Sequence, residues 1–286
     1  MLEPKVKTSR SRGTVRDLNL RLILSTFLFV YVGFVLMVFI SNALWLGREN
    51  QVTHTRYITQ VIQDQEMRDG LWFSIKLSLE TSLITSVIAI LIAIPSAYAL
   101  SRYKFRLFSF LDTVIDLPIV VPPLIGGLAL LIFFKQSTIG NAINNVVPIV
   151  FTKTGIVVAQ FFVASAFSIR TLKATFDQIN PRFEAVARSL GCTSWQAMWR
   201  IALPLAKNGI IAGLVMTWAR ALGEFGPIMM LAGATPGKTD VLSVAAFLSM
   251  SSGRVEVSIA IVVLMVLVAT ATLITFKKLG GQGYIW

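Results

Sequence analysis

Arg220 and Glu224 are the residues best placed for chemistry, because they lie four positions apart in an otherwise apolar stretch. A lone charge at the centre of a membrane helix costs roughly 2.5 to 3.5 kcal/mol on insertion scales. One interpretation is a mutually neutralised pair, or two residues with partners on another subunit, that serves assembly alone. The interpretation we favour places both residues at a transport path or gate, which intramembrane ionisable residues often mark.

Side chains suited to enzymatic catalysis are sparse. His54 is the only histidine, so no pair of histidines is available for a metal, and the sequence holds neither GxSxG nor HExxH. Three carboxylates in apolar segments, Glu80, Asp116 and Glu224, remain candidates for proton sites. We therefore expect a transport protein without a catalytic residue, a bound metal or a cofactor of its own.

The stretch from Gly233 to Thr239 resembles a phosphate-binding loop but does not meet its requirements. That loop needs four residues between its glycines and a β-strand before it, whereas three residues separate Gly233 from Gly237 after an apolar segment. We predict a solvent loop between two spans, and no ATP site on this chain.

Membrane helices must position these residues, because the 286-residue chain is 55% hydrophobic and 14% charged, with a mean hydropathy of +0.72. A helix needs about 20 mostly apolar residues to cross the hydrocarbon core. The stretches that meet this length are 22–46, 74–100, 110–134, 150–170, 206–232 and 255–276. The fold class that we predict is all-α, a polytopic membrane protein with six transmembrane helices.

The net charge of +12 is explained by membrane topology. With a cytoplasmic N-terminus, about two thirds of the 26 Lys and Arg residues fall on the cytoplasmic side, and the positive-inside rule then predicts that both termini are cytoplasmic. The apolar run Leu22–Leu46 is too long for a cleavable signal peptide. No basic and aromatic module for nucleic acid accompanies the charge. Cys192, the single cysteine, excludes an intrachain disulfide.

Irregular helices are predicted in three places. Prolines 118, 122 and 123, followed by glycines 126 and 127, interrupt the third span, and backbone freed from helical bonding persists in a membrane only where protein or a watery cavity satisfies it. A kinked helix packed by its neighbours and a broken helix beside a substrate path both fit. The apolar stretch 240–250 is too short to span and predicts a helix at the outer face. Gly209 and Gly213 permit close approach between helices.

The longest strongly polar interval between apolar blocks, Pro181 to Pro204, predicts a helical hairpin. Pro181 suits the first helical position, with Asn180 as the cap. Gly191 is placed to end this helix in a left-handed conformation, Ser194 to cap a second helix, and Pro204 to stop it. The apolar faces of so short a hairpin need the lipid interface or another protein to cover them.

The spacing of Ala185-Val186-Ala187, Gly191 and Ile201-Ala202-Leu203-Pro204 resembles the EAA loop of ABC-importer permeases. The family's usual glutamate position falls on Ala185, and the carboxylate lies one residue earlier, at Glu184. The resemblance implies that this hairpin docks into a cleft of a separate cytoplasmic ATPase. It assigns the following residues to the ATPase-coupling loop: Arg182, Glu184, Ala185, Ala187, Leu190, Gly191, Ile201, Leu203 and Pro204.

A second resemblance covers residues 220–226 and 229–233, which are similar to the fifth-span signature of molybdate, tungstate and sulfate permeases. Pro227 departs from the usual pattern. The two signatures imply a permease core over 72–278, after a basic segment 1–21 and a first helix with outer loop 22–71, and before a tail 279–286. The candidate path or gate comprises Pro122, Pro123, Arg220, Glu224, Phe225 and Gly226.

Together, the resemblances imply a type I ABC-importer permease subunit in the cell membrane, most similar to molybdate permeases. The implied partners are the lipid bilayer, a second permease copy, two cytoplasmic ABC ATPases that hold ATP and Mg, and an external oxyanion-binding protein. The alternative from another class is a secondary transporter that couples the carboxylates to protons or Na⁺.

Overall fold

The computed structural model describes residues 11–47, 59, 63–103 and 106–279, and the regular elements of these residues are all helices. The chain divides into two compact units, residues 1–57 and 58–286. The first unit contains helix α1 (Ser11–Leu46), whose segment Arg21–Leu46 is long and apolar enough to cross a membrane. Its large apolar side chains are mostly exposed, as those of a lipid-facing helix are.

The second unit is built from helices that pack around α2 (Gln65–Arg102). The elements that follow are α3 (Phe108–Val120), α4 (Pro123–Gln136), α5 (Thr138–Val146), α6 (Lys153–Gln178), α7 (Arg182–Ser189), α8 (Ser194–Ala197), a π-helix (Met198–Ala202), α9 (Leu203–Leu222), α10 (Gly226–Leu231), α11 (Leu242–Ser251) and α12 (Val255–Leu279). Five helical stretches of the described chain can each span a membrane by length and composition, or six if the bent pair α3 and α4 counts as one span. The prediction of an all-α protein with six spans is confirmed on that basis.

Helices α2 and α6 run side by side in the same direction. The Thr85 hydroxyl donates to Gln160 Oε1 at 2.8 Å. Closer to the C-terminal ends of both helices, Arg102 donates to the Phe176 carbonyl at 3.0 Å. Helix α9 packs against both, and a Cβ on Gly213 would lie 2.5 Å from Leu172 Cδ1. The close approach predicted from Gly209 and Gly213 is therefore confirmed.

Three apolar clusters form among the described residues, and two of them fill the two ends of this bundle. Phe176, Leu172 and Ala202 belong to the cluster around the C-terminal halves of α2 and α6. Ile156, Leu231 and Val244 belong to the cluster around the N-terminal halves. The second cluster includes α11, the short apolar helix predicted near 240–250, while its position at the outer face stays a prediction.

Candidate functional site

The hairpin that follows α6 has the left-handed turn that its sequence predicts. Asn180 Oδ1 accepts the Arg182 backbone N–H at 3.0 Å as α7 begins. Gly191 has a φ of 95°, and the backbone N–H groups of Gly191 and Cys192 donate to the carbonyls of Arg188 and Ala187 at 3.1 Å. These two bonds form a Schellman motif, which satisfies carbonyls that the helix end leaves free.

Two details of the predicted hairpin are wrong. Thr193, rather than Ser194, caps the second helix, in a capping box with Gln196 whose bonds measure 3.2 and 2.9 Å. Pro204 does not stop the helix, since residues 194–222 form one continuous helical stretch. The wider π-helix turn accommodates the proline, because the Leu203 N–H bonds to the Met198 carbonyl five residues earlier and Pro204 follows with no N–H to place.

Glu184 is the only acidic residue of α7, and it faces the bundle. Its side chain is 9% exposed and accepts hydrogen bonds from the Tyr98 hydroxyl at 2.5 Å and from Arg102 Nε at 2.8 Å. Arg102 also donates to the carbonyls of Phe176 and Ile179 at 3.0 and 3.1 Å, which satisfies acceptors at the end of α6. We call Tyr98, Arg102 and Glu184 the clasp. The clasp joins the hairpin to the C-terminal ends of α2 and α6.

The opposite side of the hairpin is apolar and open. We call this surface the hairpin apolar face, and its residues are Phe183, Val186, Leu190, Trp195 and Trp199, which are all about half exposed or more. The two tryptophan rings meet edge to face at 5.6 Å. Exposed apolar residues grouped on one element are typical of surfaces that bind another protein or a membrane.

The remaining coupling-loop candidates divide between these two sides. Ala187 is buried against the bundle, and Ile201 and Leu203 are half-buried. The exposed candidates are Arg182, Ala185, Leu190, Gly191 and Pro204. The exposed Ala185 occupies the family's usual glutamate position, whereas the carboxylate of Glu184 is turned inward.

The second group of candidate residues surrounds two helix breaks. The prediction of one continuous span over 206–232 is wrong, because α9 ends at Leu222 and α10 begins at Gly226. Pro227 explains the break: it lacks the N–H that would bond to the Gly223 carbonyl, and its ring would clash with that carbonyl in a continuous helix. Glu224 therefore lies at a break and not in mid-span.

The other break separates α3 from α4 at Val121 and Pro122, where the helix axes differ by 110°. The two breaks pack backbone against backbone: a Cβ on Gly226 would lie 2.8 Å from the Leu124 nitrogen and 3.2 Å from the Pro123 carbonyl carbon. The structure thus brings Pro122 and Pro123 together with Phe225 and Gly226. Of the two interpretations of the third span, this geometry fits a broken helix.

Arg220 and Glu224 form the ion pair that their spacing indicates. Arg220 Nη1 lies 2.6 Å from Glu224 Oε2, with side chains that are 30% and 3% exposed. This contact lacks hydrogen-bond geometry, and no donor in the described part of the chain bonds to that oxygen. The guanidinium also lies 5.5 Å from the centre of the Phe167 ring. The glutamate is thus enclosed, while part of the arginine remains accessible.

Hydrogen bonds from neighbouring helices satisfy the backbone around this break. Gln160 Nε2 donates to the Ala221 carbonyl at 3.1 Å, and the Ser243 hydroxyl donates to the Glu224 carbonyl at 2.7 Å. A broken helix within a membrane persists only with partners of this kind. The break is therefore stabilised by hydrogen bonds from α6 on one side and from α11 on the other.

The three carboxylates considered as proton sites all have cationic partners. Arg170 binds Asp116 through two bonds of 2.5 and 2.6 Å and Asp112 through one of 2.5 Å. Glu80 lies 3.8 Å from Lys76, and Glu224 pairs with Arg220. This arrangement favours structural or path roles over proton binding.

Two of these arrangements are absent from the predictions. Tyr98 and Arg102 were not among the candidate residues, because Arg102 counted only as a loop charge and its partner is 82 positions away. The Arg170 cluster left a signal in the sequence, since Asp112 and Asp116 are one helical turn apart and an arginine on α6 was available to pair with them.

Comparison with known proteins agrees with this geometry. Residues 86–279 match the family model of the binding-protein-dependent transport system inner membrane component. A probable molybdenum ABC transporter permease of Haloferax volcanii is 42% identical over 139 residues, which are 49% of this chain and 51% of that protein. The molybdenum transport system permease ModB of Mycobacterium bovis is 34% identical over 178 residues, 62% of this chain and 67% of that protein.

The sulfate transport system permease CysT of Escherichia coli is 33% identical over 153 residues, 53% of this chain and 55% of that protein. The chain thus spans about half the length of several curated relatives that it matches. Among solved structures, a bacterial alginate ABC importer has a TM-score of 0.73 at 16% identity and covers 96% of this chain and 99% of its own. That likeness establishes the fold.

Proposed function

We propose that this chain is the permease subunit of an ATP-driven importer of a tetrahedral oxyanion, namely molybdate, tungstate or sulfate. The chain belongs to the family of binding-protein-dependent transport system inner membrane components. The observation that carries this proposal is the two-sided hairpin. Its inner side is held to α2 and α6 by the clasp, and its outer side presents the hairpin apolar face. A domain that binds the outer side can therefore move the bundle.

Coupling follows from these contacts. The cytoplasmic ATPase holds ATP and Mg, and its closure pulls on the hairpin apolar face. The pull passes through the clasp to the ends of α2 and α6, because Arg102 bonds to Glu184 and to two α6-end carbonyls. A second route runs along the continuous stretch Ser194–Leu222 to the break at Glu224. ATP binding turns the path outward, and hydrolysis reverses the change.

The path itself is proposed to run past Arg220. Its guanidinium is 30% exposed, while its counter-ion Glu224 is buried beneath it. A partly accessible arginine is a suitable transient contact for an oxyanion, because its planar fork matches tetrahedral oxyanion edges. In a dimer of two permease copies, two such arginines line one central path. The facing breaks at Pro122–Pro123 and Phe225–Gly226 supply the movable backbone of the gate.

This function implies an orientation for the chain. The hairpin end faces the cytoplasm with both termini, and the opposite end of the second unit faces the external oxyanion-binding protein. The protein is a multi-pass component of the cell membrane. The ion-coupled alternative receives no support from the carboxylates, since Glu80, Asp116 and Glu224 each have a basic partner.

The test is reconstitution of the permease with the cognate ATPase and the binding protein in liposomes. We expect uptake of radiolabelled molybdate or sulfate that requires ATP on the side of the membrane where the ATPase is bound. This uptake should persist when the ion gradients are collapsed. Uptake that stops with the ion gradient and continues after ATP depletion would contradict the proposal.

A matched pair of variants tests the hairpin apolar face in the same preparation. Leu190→Ser changes an exposed residue of this face, and Val146→Ser changes an equally exposed residue at the end of α5. We expect Leu190→Ser to lose co-purification of the ATPase and Val146→Ser to retain it. Equal ATPase recovery from both variants would place the docking surface elsewhere.

A further inference from the structure

A cavity of about 590 Å³ lies at the end of the second unit opposite the hairpin. It opens beside Ser74, near the start of α2, whereas the clasp holds Arg102 at its end, which is about 42 Å away along the helix axis. Its walls are largely apolar, with Met67, Leu71, Leu248, Val257 and Ile261 among them. Its charged residues are Asp64, Asp240 and Arg254.

Asp240 is the unusual member of this cavity. The residue is 7% exposed, and its Oδ1 is buried with no hydrogen-bond partner in the described structure. The Ser74 hydroxyl lies 3.5 Å from the other oxygen, and the backbone N–H groups of Gly237, Lys238 and Asp240 also stabilise the carboxylate. Burial raises the pKa of the Asp240 carboxyl. A buried carboxylate is costly without a charged partner, and no cation of the described residues lies within 4.0 Å of it.

We propose that this cavity receives a lysine or arginine side chain of the external binding protein, with the cationic head at the Asp240 carboxylate. This inference rests on the proposed function, which places this end of the unit toward the binding protein. The apolar walls suit the methylene stem of such a side chain, and the carboxylate among the lining residues suits its charged head. A metal ion fits less well, because hard cations take six or more oxygen ligands and the described residues hold no cluster of three ligating side chains.

The position of Asp240 connects docking to the gate. Two residues later the Leu242 N–H, at the start of α11, bonds to the Ser78 hydroxyl of α2 at 2.8 Å. The next residue, Ser243, donates to the Glu224 carbonyl at the α9 break. A cation that binds Asp240 therefore pulls on the start of α11, the helix that is bonded to the break. Docking at this cavity can therefore change the conformation of the proposed gate.

The experiment uses the permease–ATPase complex in nanodiscs, titrated with fluorescently labelled, oxyanion-loaded binding protein. We expect Asp240→Asn to raise the Kd for the binding protein at least about tenfold and to reduce stimulated ATP hydrolysis in parallel. The Tm of each complex is measured beside the Kd, so that a loss of docking is distinguished from a loss of folding. The matched control is Asp64→Asn at the exposed rim, which keeps the α2 cap and should change the Kd less than about threefold.

Two further arms keep the proposal testable if Asp240→Asn folds poorly. Ser252→Trp blocks the cavity from an exposed wall position and should also weaken docking, and wild-type affinity of this variant would overturn the proposal. Replacement of Na⁺ by choline should leave stimulation unchanged, and its loss would assign the cavity to a monovalent cation instead. An Asp240→Asn complex that docks normally overturns this inference alone, whereas a wild-type complex without binding-protein stimulation overturns the proposed function.

Discussion

Two arginine–glutamate pairs of the described residues differ in how completely their charges are enclosed. In the clasp, Arg102 and Glu184 are each 9% exposed, and Tyr98 supplies a further hydrogen bond to the carboxylate. At the break, Glu224 is 3% exposed but Arg220 is 30% exposed, and their contact lacks hydrogen-bond geometry. An enclosed, fully bonded pair holds elements together. A half-open pair leaves a cation that a passing anion can reach.

Sequence separation sharpens the contrast. The clasp joins residues 82 positions apart and thus connects α7 to α2, whereas Arg220 and Glu224 are one helical turn apart. A local pair of this kind cannot fix the arrangement of two distant elements. This difference supports the proposed roles, in which the clasp transmits force and the pair at the break lies on the path.

The largest effect is expected from Arg102→Ala. The substitution leaves Glu184 buried without its cation and removes the donors to the Phe176 and Ile179 carbonyls. We expect a loss of about 3 to 5 kcal/mol of stability, measured as a lower Tm of the purified permease in detergent. Arg106→Ala, which removes an exposed arginine nearby, is the control. A Tm that is equally low for both variants would contradict the special role of the clasp.

A smaller loss is expected from Arg220→Ala, because the guanidinium is already partly solvated. The buried Glu224 carboxylate then lacks a partner, which costs roughly 2.5 to 3.5 kcal/mol. The double change Arg220→Ala with Glu224→Ala should be less damaging to expression and dimer yield than either single change. Glu224→Gln should assemble normally and transport poorly if the pair belongs to the gate. Wild-type uptake from all four variants would refute both the structural and the gate interpretations.

The sequence predicts some parts of this structure better than others, for physical reasons. Hydrophobic length and helix-breaking residues are local signals, so the spans, the hairpin and the φ of Gly191 follow from them. The clasp depends on α2 and α6 ending at the same level, which no local pattern encodes. The continuation of the helix through Pro204 depends on a π-turn, and the break after Leu222 depends on Pro227, five residues further along the chain.

Gly191→Pro tests the turn of the hairpin. Proline cannot adopt the φ of 95°, so we expect a permease that inserts into the membrane but no longer co-purifies with the ATPase. The local strain is about 1 to 3 kcal/mol. No atom lies within 4 Å of a Cβ at this position, so only the backbone opposes a side chain. Gly191→Asn, which tolerates the left-handed region, should retain the ATPase, and failure of both variants alike would contradict this explanation.

Gly226→Ala probes the contact between the two breaks. The added Cβ would lie 2.8 Å from the Leu124 nitrogen, so the backbones must separate, at an expected cost of about 1 to 2 kcal/mol. Gly223→Ala is the matched control, because its nearest atom, the Ala219 carbonyl oxygen, lies 3.6 Å away. Uptake rate and Tm should fall for Gly226→Ala alone. Equal values for the two variants would show that the breaks do not depend on close packing.

The smallest effect is expected at the exposed pair of Lys76 and Glu80. Their side chains are 67% and 55% exposed and 3.8 Å apart, so Lys76→Ala should change stability by less than about 0.5 kcal/mol. Its Tm provides a baseline for the clasp and for the pair at the break. A loss comparable to that of Arg102→Ala would show that burial does not distinguish the pairs.

The most direct measurement of the central claim is the number of oxyanions imported per ATP hydrolysed by the Glu184→Gln complex in liposomes. The substitution removes the charge of the clasp and leaves the hairpin apolar face unchanged. We predict normal ATPase recovery and basal hydrolysis, with import per ATP reduced at least about tenfold, which corresponds to about 1.4 kcal/mol of lost coupling. Wild-type import per ATP from this complex would contradict the claim that the clasp transmits the motion of the ATPase to the path.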